Sequence, residues 1–231
     1  MTMSQVKSIA MPVMNLVRTQ GVPILQQLHL EEKLLRTSAE NWCIVNDGTN
    51  APTVVMGMSG VPADLLELEY VVRDDVPVIK RFTGGVQPYP RPIMDWSSII
   101  YKQVFGGIGD FHLRENDYVL GNRKFGGNAQ SITKNRWVHH TSFLWDYDVR
   151  NMAYLKLPSR APEYRSARNH VDFICRMKDH ISRPSFIQRT VEALGNHFSV
   201  RHIGLDTIVT PDTPFTSTTR LLSKEELITL S

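Results

Sequence analysis

From Tyr118 to Trp145 the chain carries no acidic residue, while Arg123, Lys124, Lys134 and Arg136 are all cationic. Inside this region, Asn116-Asp117-Tyr118-Val119-Leu120-Gly121-Asn122-Arg123-Lys124-Phe125-Gly126-Gly127-Asn128-Ala129-Gln130 sets a strand, a turn, one lysine and a glycine pair in succession. A glycine-flanked cationic loop lets backbone N–H groups close on an anion while a lysine supplies charge. The segment therefore predicts a loop that holds something negative.

The rest of the composition is ordinary. At 231 residues the chain suits one domain with a substantial core. Its 42% hydrophobic and 21% charged residues are globular proportions. A net charge of +3 gives no general case for nucleic acid, so the charge that matters is local. Cys43 and Cys175 lie far apart without metal-ligand spacing, which fits a reducing compartment. No apolar run is long enough to span a bilayer, and Met1 to Arg18 lacks the apolar centre of a secretory signal. The expected location is cytoplasmic or mitochondrial, with no acidic residue before Glu31 to oppose an organellar transit reading.

Periodicity organises the chain as α+β. Helices are expected over Ile24–Arg36, Ala63–Val72, Ile93–Phe105 with Ile99, Ile100 and Val104 inward, and Ser182–His197. A further helix could begin at Asn151. Trp42–Val45 and Thr53–Met56 read as two strands joined by a turn at Asn46–Asn50. Val76–Arg81, Phe111–Leu113, Tyr118–Leu120 and Val138–Trp145 are further strands. Thr207–Thr219, rich in Thr, Ser and Pro, reads as mobile. The expected layout is a catalytic-type domain over residues 1–205 and a flexible tail over 206–231.

Each candidate element has a bland alternative. Lys124 is either a lysine held over a phosphate or activated carboxyl group, or a solvated lysine beside a turn. Arg81-Phe82-Thr83-Gly84-Gly85, closing an apolar strand, is either a ligand-binding loop or a tight turn. His139-His140 lies on a strand, so the two side chains point to opposite faces and at most one can face a site. A zinc site lacks further ligands at metal spacing. Cys43 and Cys175 sit in apolar runs and read as packed thiols.

Taken in order, Leu28-His29-Leu30-Glu31-Glu32, Pro52–Gly57, Arg81–Gly85, Asn116-Asp117, Lys124–Ala129 and His139-His140-Thr141 resemble the lipoate–protein ligase A family. The resemblance, within the biotin/lipoate A/B protein ligase superfamily, runs from about Val22 to His197 and is nearest to single-domain members of plant type. It implies a mixed α/β fold related to the catalytic core of class II aminoacyl-tRNA synthetases. It implies ATP-dependent activation of lipoate to lipoyl-adenylate and transfer to a lysine of an apo-lipoyl domain. Acceptors would be E2 subunits of 2-oxoacid dehydrogenases or the glycine cleavage H protein, with no nucleic acid or membrane partner.

By position, the resemblance makes Lys124 the catalytic lysine. Arg81, Thr83, Gly84 and Gly85 become the loop that closes on acyl chain and adenylate. Asn116 and Asp117 would lie near the nucleotide, with Asp117 a ligand for Mg²⁺. Gly126 and Ala129 would shape the loop after the lysine.

The chain departs from the family pattern after Gly85. A third glycine and a strand pair should follow, yet Val86-Gln87-Pro88-Tyr89-Pro90-Arg91-Pro92 comes directly. Three prolines in five positions cannot form a central strand, so the pattern looks like an internal deletion. Met58-Ser59-Gly60 also stands where the family has Arg-x-Gln-Asn, and the accessory C-terminal domain of two-domain ligases is missing. Two readings stand beside the ligase: a lipoyl or octanoyl transferase with a pre-activated donor, and an impaired form that only binds lipoyl domains. RNA binding by the basic loop is an outsider, because aromatics do not interleave the charges.

Overall fold

The computed structural model describes residues 10–49, 51–84, 91–208 and 214–230. In chain order the strands and helices are β1 (Val13–Gln20), α1 (Ile24–Thr37), β2 (Trp42–Asp47), β3 (Val54–Met56), α2 (Pro62–Leu65), α3 (Leu68–Arg73) and β4 (Val78–Lys80). There follow α4 (Arg91–Val104), β5 (Phe111–Arg114), β6 (Asp117–Leu120), β7 (Arg123–Ile132), β8 (Trp137–Phe143) and α5 (His170–Phe173). The chain closes with α6 (Arg183–Gly195), β9 (Ser199–Ile203), β10 (Arg220–Leu221) and α7 (Lys224–Thr229). The result is the expected mixed α/β fold.

The strands form three small sheets. β2, β1 and β9 run parallel; β3 and β4 run parallel with β10 antiparallel at the edge; β5 to β8 make an antiparallel meander. The two strands expected either side of a turn at Asn46–Asn50 do not pair with each other. β2 joins β1 and β3 joins β4, so the turn between them is a crossing between sheets. The pattern of apolar residues marks a strand but does not choose its partner.

The larger core lies between the meander and the pair α4 and α6. Its centre is aromatic: Phe105 meets Phe125 at 4.9 Å between ring centroids, and Phe143 meets Phe186 at 5.0 Å. Gly126 sits against these rings. A Cβ there would stand 3.0 Å from Phe143 Cδ1 and 3.2 Å from Tyr118 Cδ2. Ile99, expected inward on α4, is instead 50% exposed, while Ile100 and Val104 are buried. Residues 63–72, expected as one helix, break at Leu66–Glu67 into α2 and α3, and the helix expected at Asn151 is a 3₁₀ segment over Val149–Tyr154.

The C-terminal residues are tied down by α1. Glu32, with a fully buried side chain, accepts hydrogen bonds from the Ser217 hydroxyl (2.6 Å), the Thr218 hydroxyl (2.7 Å) and the backbone N–H groups of Thr218 and Thr219. Arg36 pairs with it from the next turn at 2.8 Å. The segment read as mobile is thus fixed at residues 217–219, where its Ser and Thr side chains serve as hydrogen-bond donors. Beyond them, Leu222 and Leu227 bury against α3 and β4, and Ser223 with Glu226 closes a capping box on α7.

Burial alone would push the Glu32 carboxyl up. The donors from Ser217, Arg36 and Thr218 outweigh it and hold the pKa at about 2. A depressed folded-state pKa contributes stability above the unfolded value near 4.5, lost as pH falls towards 2. Glu32→Gln should therefore lower unfolding free energy at pH 7 by roughly 2–4 kcal/mol. Urea titrations at pH 7 and pH 3 should show the wild type losing its advantage over this variant in acid.

Candidate functional site

The residues expected to form a cationic loop lie in a ten-residue strand, β7, paired with β6 at its Arg123–Lys124 end and with β8 from Gly126 to Ile132. The glycines permit close packing there, Gly126 on aromatic rings and Gly127 under the lysine. A Cβ on Gly127 would stand 3.4 Å from both Cε and Nζ of Lys124. A bulge between Tyr118 and Val119 shifts the register just where Lys124 pairs. In place of the expected anion-holding loop there is a strand face with one lysine folded across it.

Lys124 is positioned by Asp117. Its Nζ lies 2.7 Å from Asp117 Oδ1, with side chains 30% and 11% exposed. The Tyr164 hydroxyl donates to Asp117 Oδ2 at 2.8 Å, so both carboxylate oxygens are engaged. Burial, then the Asp117 charge, raises the Tyr164 phenol well above its usual pKa and keeps it a donor. Asn116 is exposed, and its carbonyl accepts from the Asn128 side chain on β7. Asn116, Asp117 and Lys124 are thereby gathered at one end of the strand.

The strand β4 delivers the second group. Arg81 N–H bonds Met56 C=O at 3.0 Å, and Gly84 N–H bonds Gln130 C=O at 3.2 Å, joining the 81–84 segment to β7. Gly84 has φ +79°, and its carbonyl lies 2.7 Å from where a Cβ on Gly57 would be, so a glycine is needed at the crossing. The Cβ position of Gly84 is 3.5 Å from an Arg81 guanidinium nitrogen and 3.7 Å from Ala129 Cβ. Gly85 lies outside the described residues. Ser59, in the segment that departs from the family pattern, donates to Gly84 C=O at 3.2 Å.

Two groups here are buried without a hydrogen-bond partner among the described residues: Arg81 Nε and Thr83 Oγ1. Burial lowers the Arg81 pKa, opposed by the charge of Glu31. Buried polar atoms without partners are expensive to maintain, and a bound ligand is one way to satisfy them.

The histidine pair splits across the sheet as the strand period requires. His140, 7% exposed, directs Nδ1 to Glu31 Oε2 at 2.9 Å, clamping α1 onto β8, and Nε2 to Ser142 Oγ at 3.1 Å. His139 faces α4. Ser97 donates to Met94 C=O, so the Tyr118 hydroxyl donates to Ser97 at 2.7 Å and accepts a hydrogen bond from His139 Nε2 at 2.9 Å. His139 Nδ1 then accepts from Gln130 at 2.9 Å. No local pattern marks Glu31 as a buried polar partner, because a glutamate on a helix usually faces water.

The cationic stretch is also divided. Arg136 bonds the carbonyls of Ser38 (2.6 Å) and Arg36 (3.1 Å), capping the C-terminus of α1. Cys43 and Cys175 are free thiols, and burial raises both pKa values, Cys43 to about 12. Neither is poised as a nucleophile. Among the described residues no cluster of three or more His, Cys, Asp or Glu could hold a metal. Asp117, with both oxygens engaged, does not by itself fit a resident Mg²⁺.

A family model for the lipoyl protein ligase A/B catalytic domain matches residues 23–92 and 91–199. The chain belongs to that family. A relative in Plasmodium falciparum, "Inactive lipoate–protein ligase 2", is 28% identical over 230 residues; the match covers 73% of this chain and 59% of the relative. The chain thus spans less than two thirds of that protein's length.

A bipartite archaeal lipoate protein ligase from Thermoplasma acidophilum, described with its E2 lipoyl domain, superposes with a TM-score of 0.68 at 15% identity, covering 84% of this chain and 88% of the other. A lipoate-protein ligase A bound with ATP superposes with a TM-score of 0.64 at 15% identity, covering 84% and 89%. These likenesses establish the fold.

Burial, then the nearby His140, lowers the His139 pKa to about 4. Between that value and the unfolded 6.5 the unfolded chain binds the extra proton, so stability falls as pH drops through this window. An NMR titration should show the His139 ring neutral to about pH 4. A midpoint near 6.5 would mean that the buried relay to Ser97 does not form.

Proposed function

We propose that this chain is a lipoate–protein ligase: it activates lipoate with ATP to lipoyl-adenylate and passes the acyl group to a lysine of an apo-lipoyl domain. The observation that carries the reading is the convergence on β7 of Lys124, held at 2.7 Å by Asp117, with the unpartnered Arg81 Nε and Thr83 Oγ1. Family membership supports it, as does the fold shared with an ATP-bound ligase.

Activation is in-line attack of a carboxylate on the α-phosphate of ATP, which needs positioning and charge neutralisation more than a nucleophilic side chain. Lys124 polarises the acyl carbonyl and neutralises phosphate charge, and Asp117 with Tyr164 fixes where its ammonium points. Arg81, Thr83 and Gly84 close over the adenylate, with Gly85 following in the same expected loop; Ala129 keeps this strand face flat, while Gly126 seats the strand on the aromatic core behind it. Asn116 and Asp117 border the nucleotide end. Mg²⁺ would arrive with the nucleotide phosphates, to which it binds using few protein ligands. E2 lipoyl domains or the glycine cleavage H protein would be acceptors, and residues 1–205 the catalytic unit.

A second reading is favoured by the name of the Plasmodium relative and by the shortened glycine loop: transfer from a pre-activated donor, or acceptor binding alone. Intact-mass spectrometry of an apo-lipoyl domain separates these. Incubation with lipoate, ATP and Mg²⁺ should add one lipoyl group, and Lys124→Ala should slow the addition by about 10²–10³-fold without unfolding the chain. Modification only from synthetic lipoyl-adenylate would assign transfer without activation. No modification in either reaction, from a folded chain, would refute the catalytic reading.

A further inference from the structure

On the same face of the meander a hydrogen-bonded line runs Ser142 Oγ, His140 Nε2, His140 Nδ1, Glu31 Oε2, with spacings of 3.1 and 2.9 Å. Glu31 and His140 are 8% and 7% exposed, whereas Ser142 is exposed. A buried carboxylate only accepts, so the Nδ1 proton of a neutral imidazole points at Glu31. Nε2 is then the lone-pair nitrogen, and the Ser142 hydroxyl donates to it. An accessible hydroxyl, a base at hydrogen-bond distance and a buried carboxylate fixing the tautomer are the parts of an activated serine nucleophile.

The surroundings supply the remaining need, positive charge for an oxyanion. Ser142 pairs directly with Gly127 across the strands. Paired Cβ positions stand about 4.5–5.5 Å apart on one face. The Gly127 Cβ position is 3.4 Å from Lys124 Nζ, so the ammonium lies against the residue that pairs with Ser142. An acyl group attacked by Oγ from this face would develop its negative oxygen close to that charge.

We propose that Ser142, His140 and Glu31 form a serine acyl-hydrolase relay acting on activated acyl groups: esters, thioesters or acyl phosphate anhydrides. Ser142 Oγ bonds the carbonyl carbon as its proton passes to His140 Nε2. The bond to the leaving group breaks, and that group departs with the proton. Water then attacks the acyl-serine, giving a proton to Nε2; the carbon–Oγ bond breaks and Oγ is reprotonated. The products are a carboxylic acid and an alcohol, thiol or phosphate, and no ATP is consumed. On an enzyme that makes acyl-adenylates, the relay would discharge intermediates that find no acceptor lysine.

The test is active-site labelling of the full chain with a fluorophosphonate, read by intact mass and peptide mapping, together with hydrolysis of p-nitrophenyl octanoate. The expected result is one adduct on Ser142, absent in Ser142→Ala, with hydrolysis in that variant reduced about 10³-fold or more. His140→Gln should abolish labelling while Ser142 remains in place; circular dichroism checks that this variant folds. Glu31→Gln should slow labelling and shift its pH profile, which a merely structural clamp would not do.

No adduct on the folded wild type, or unchanged ester hydrolysis by Ser142→Ala, would overturn the proposal and leave the line as a clamp between α1 and β8. Hydrolysis retained in Ser142→Ala but lost in His140→Gln would also overturn it, with His140 activating water directly. Labelling requires neither lipoate nor ATP, so its failure leaves the ligase reading standing.

Discussion

Two adjacent carboxylates buried on one helix set the terms for much of this fold. Neither Glu31 nor Glu32 can sit inside the protein without partners, since an uncompensated buried charge is far more expensive than packing can offset. Because neighbouring helical residues point about 100° apart, the two must find partners in different places. Glu31 meets His140 on β8, and Glu32 gathers Ser217, Thr218 and Thr219. One helix therefore holds both the meander that carries the lysine and the segment leading into β10 and α7.

That arrangement explains how the functional face is kept in register. The clamp at His140 fixes β8, β8 fixes β7 along its paired length, and β7 carries Lys124, Gly127 and Ala129. Gly84 reaches the same strand from the separate β3–β4 sheet, through its N–H to Gln130 C=O. Asp117 and Tyr164 then set the last variable, the direction of a flexible lysine side chain. The elements of the candidate site come from different sheets, and backbone hydrogen bonds on β7 unite them.

The sequence made the element types legible wherever one face is apolar. The helices at Ile24, Ile93 and Ser182 and the strands at Tyr118 and Val138 follow from periodicity, and the opposed directions of His139 and His140 follow from the two-residue period. Partner choice is not legible, so Trp42–Val45 and Thr53–Met56 are expected either side of one turn, although β2 pairs with β1 and β3 with β4. The glycines of Lys124–Ala129 suggested a loop. The structure uses them inside a strand, because their missing side chains admit the Phe143 ring and the lysine stem. Ser and Thr at 217–219 suggested mobility, and only the buried acceptor on α1 converts that composition into order. The site residues around Lys124 are expected through family resemblance, which also takes in Glu31; the contacts of Tyr164 and Ser142 carry no local signature and emerge only from the folded geometry.

The central claim is that Lys124 and the Arg81–Thr83 segment serve one acyl-adenylate site. Isothermal titration with a non-hydrolysable lipoyl-adenylate analogue tests this most directly, because it is independent of turnover. Binding by the wild type should weaken by about 10-fold or more in both Lys124→Ala and Arg81→Ala, each variant losing a charge-assisted contact. Undiminished affinity in either variant, or no binding by the folded wild type, would contradict a shared site on β7.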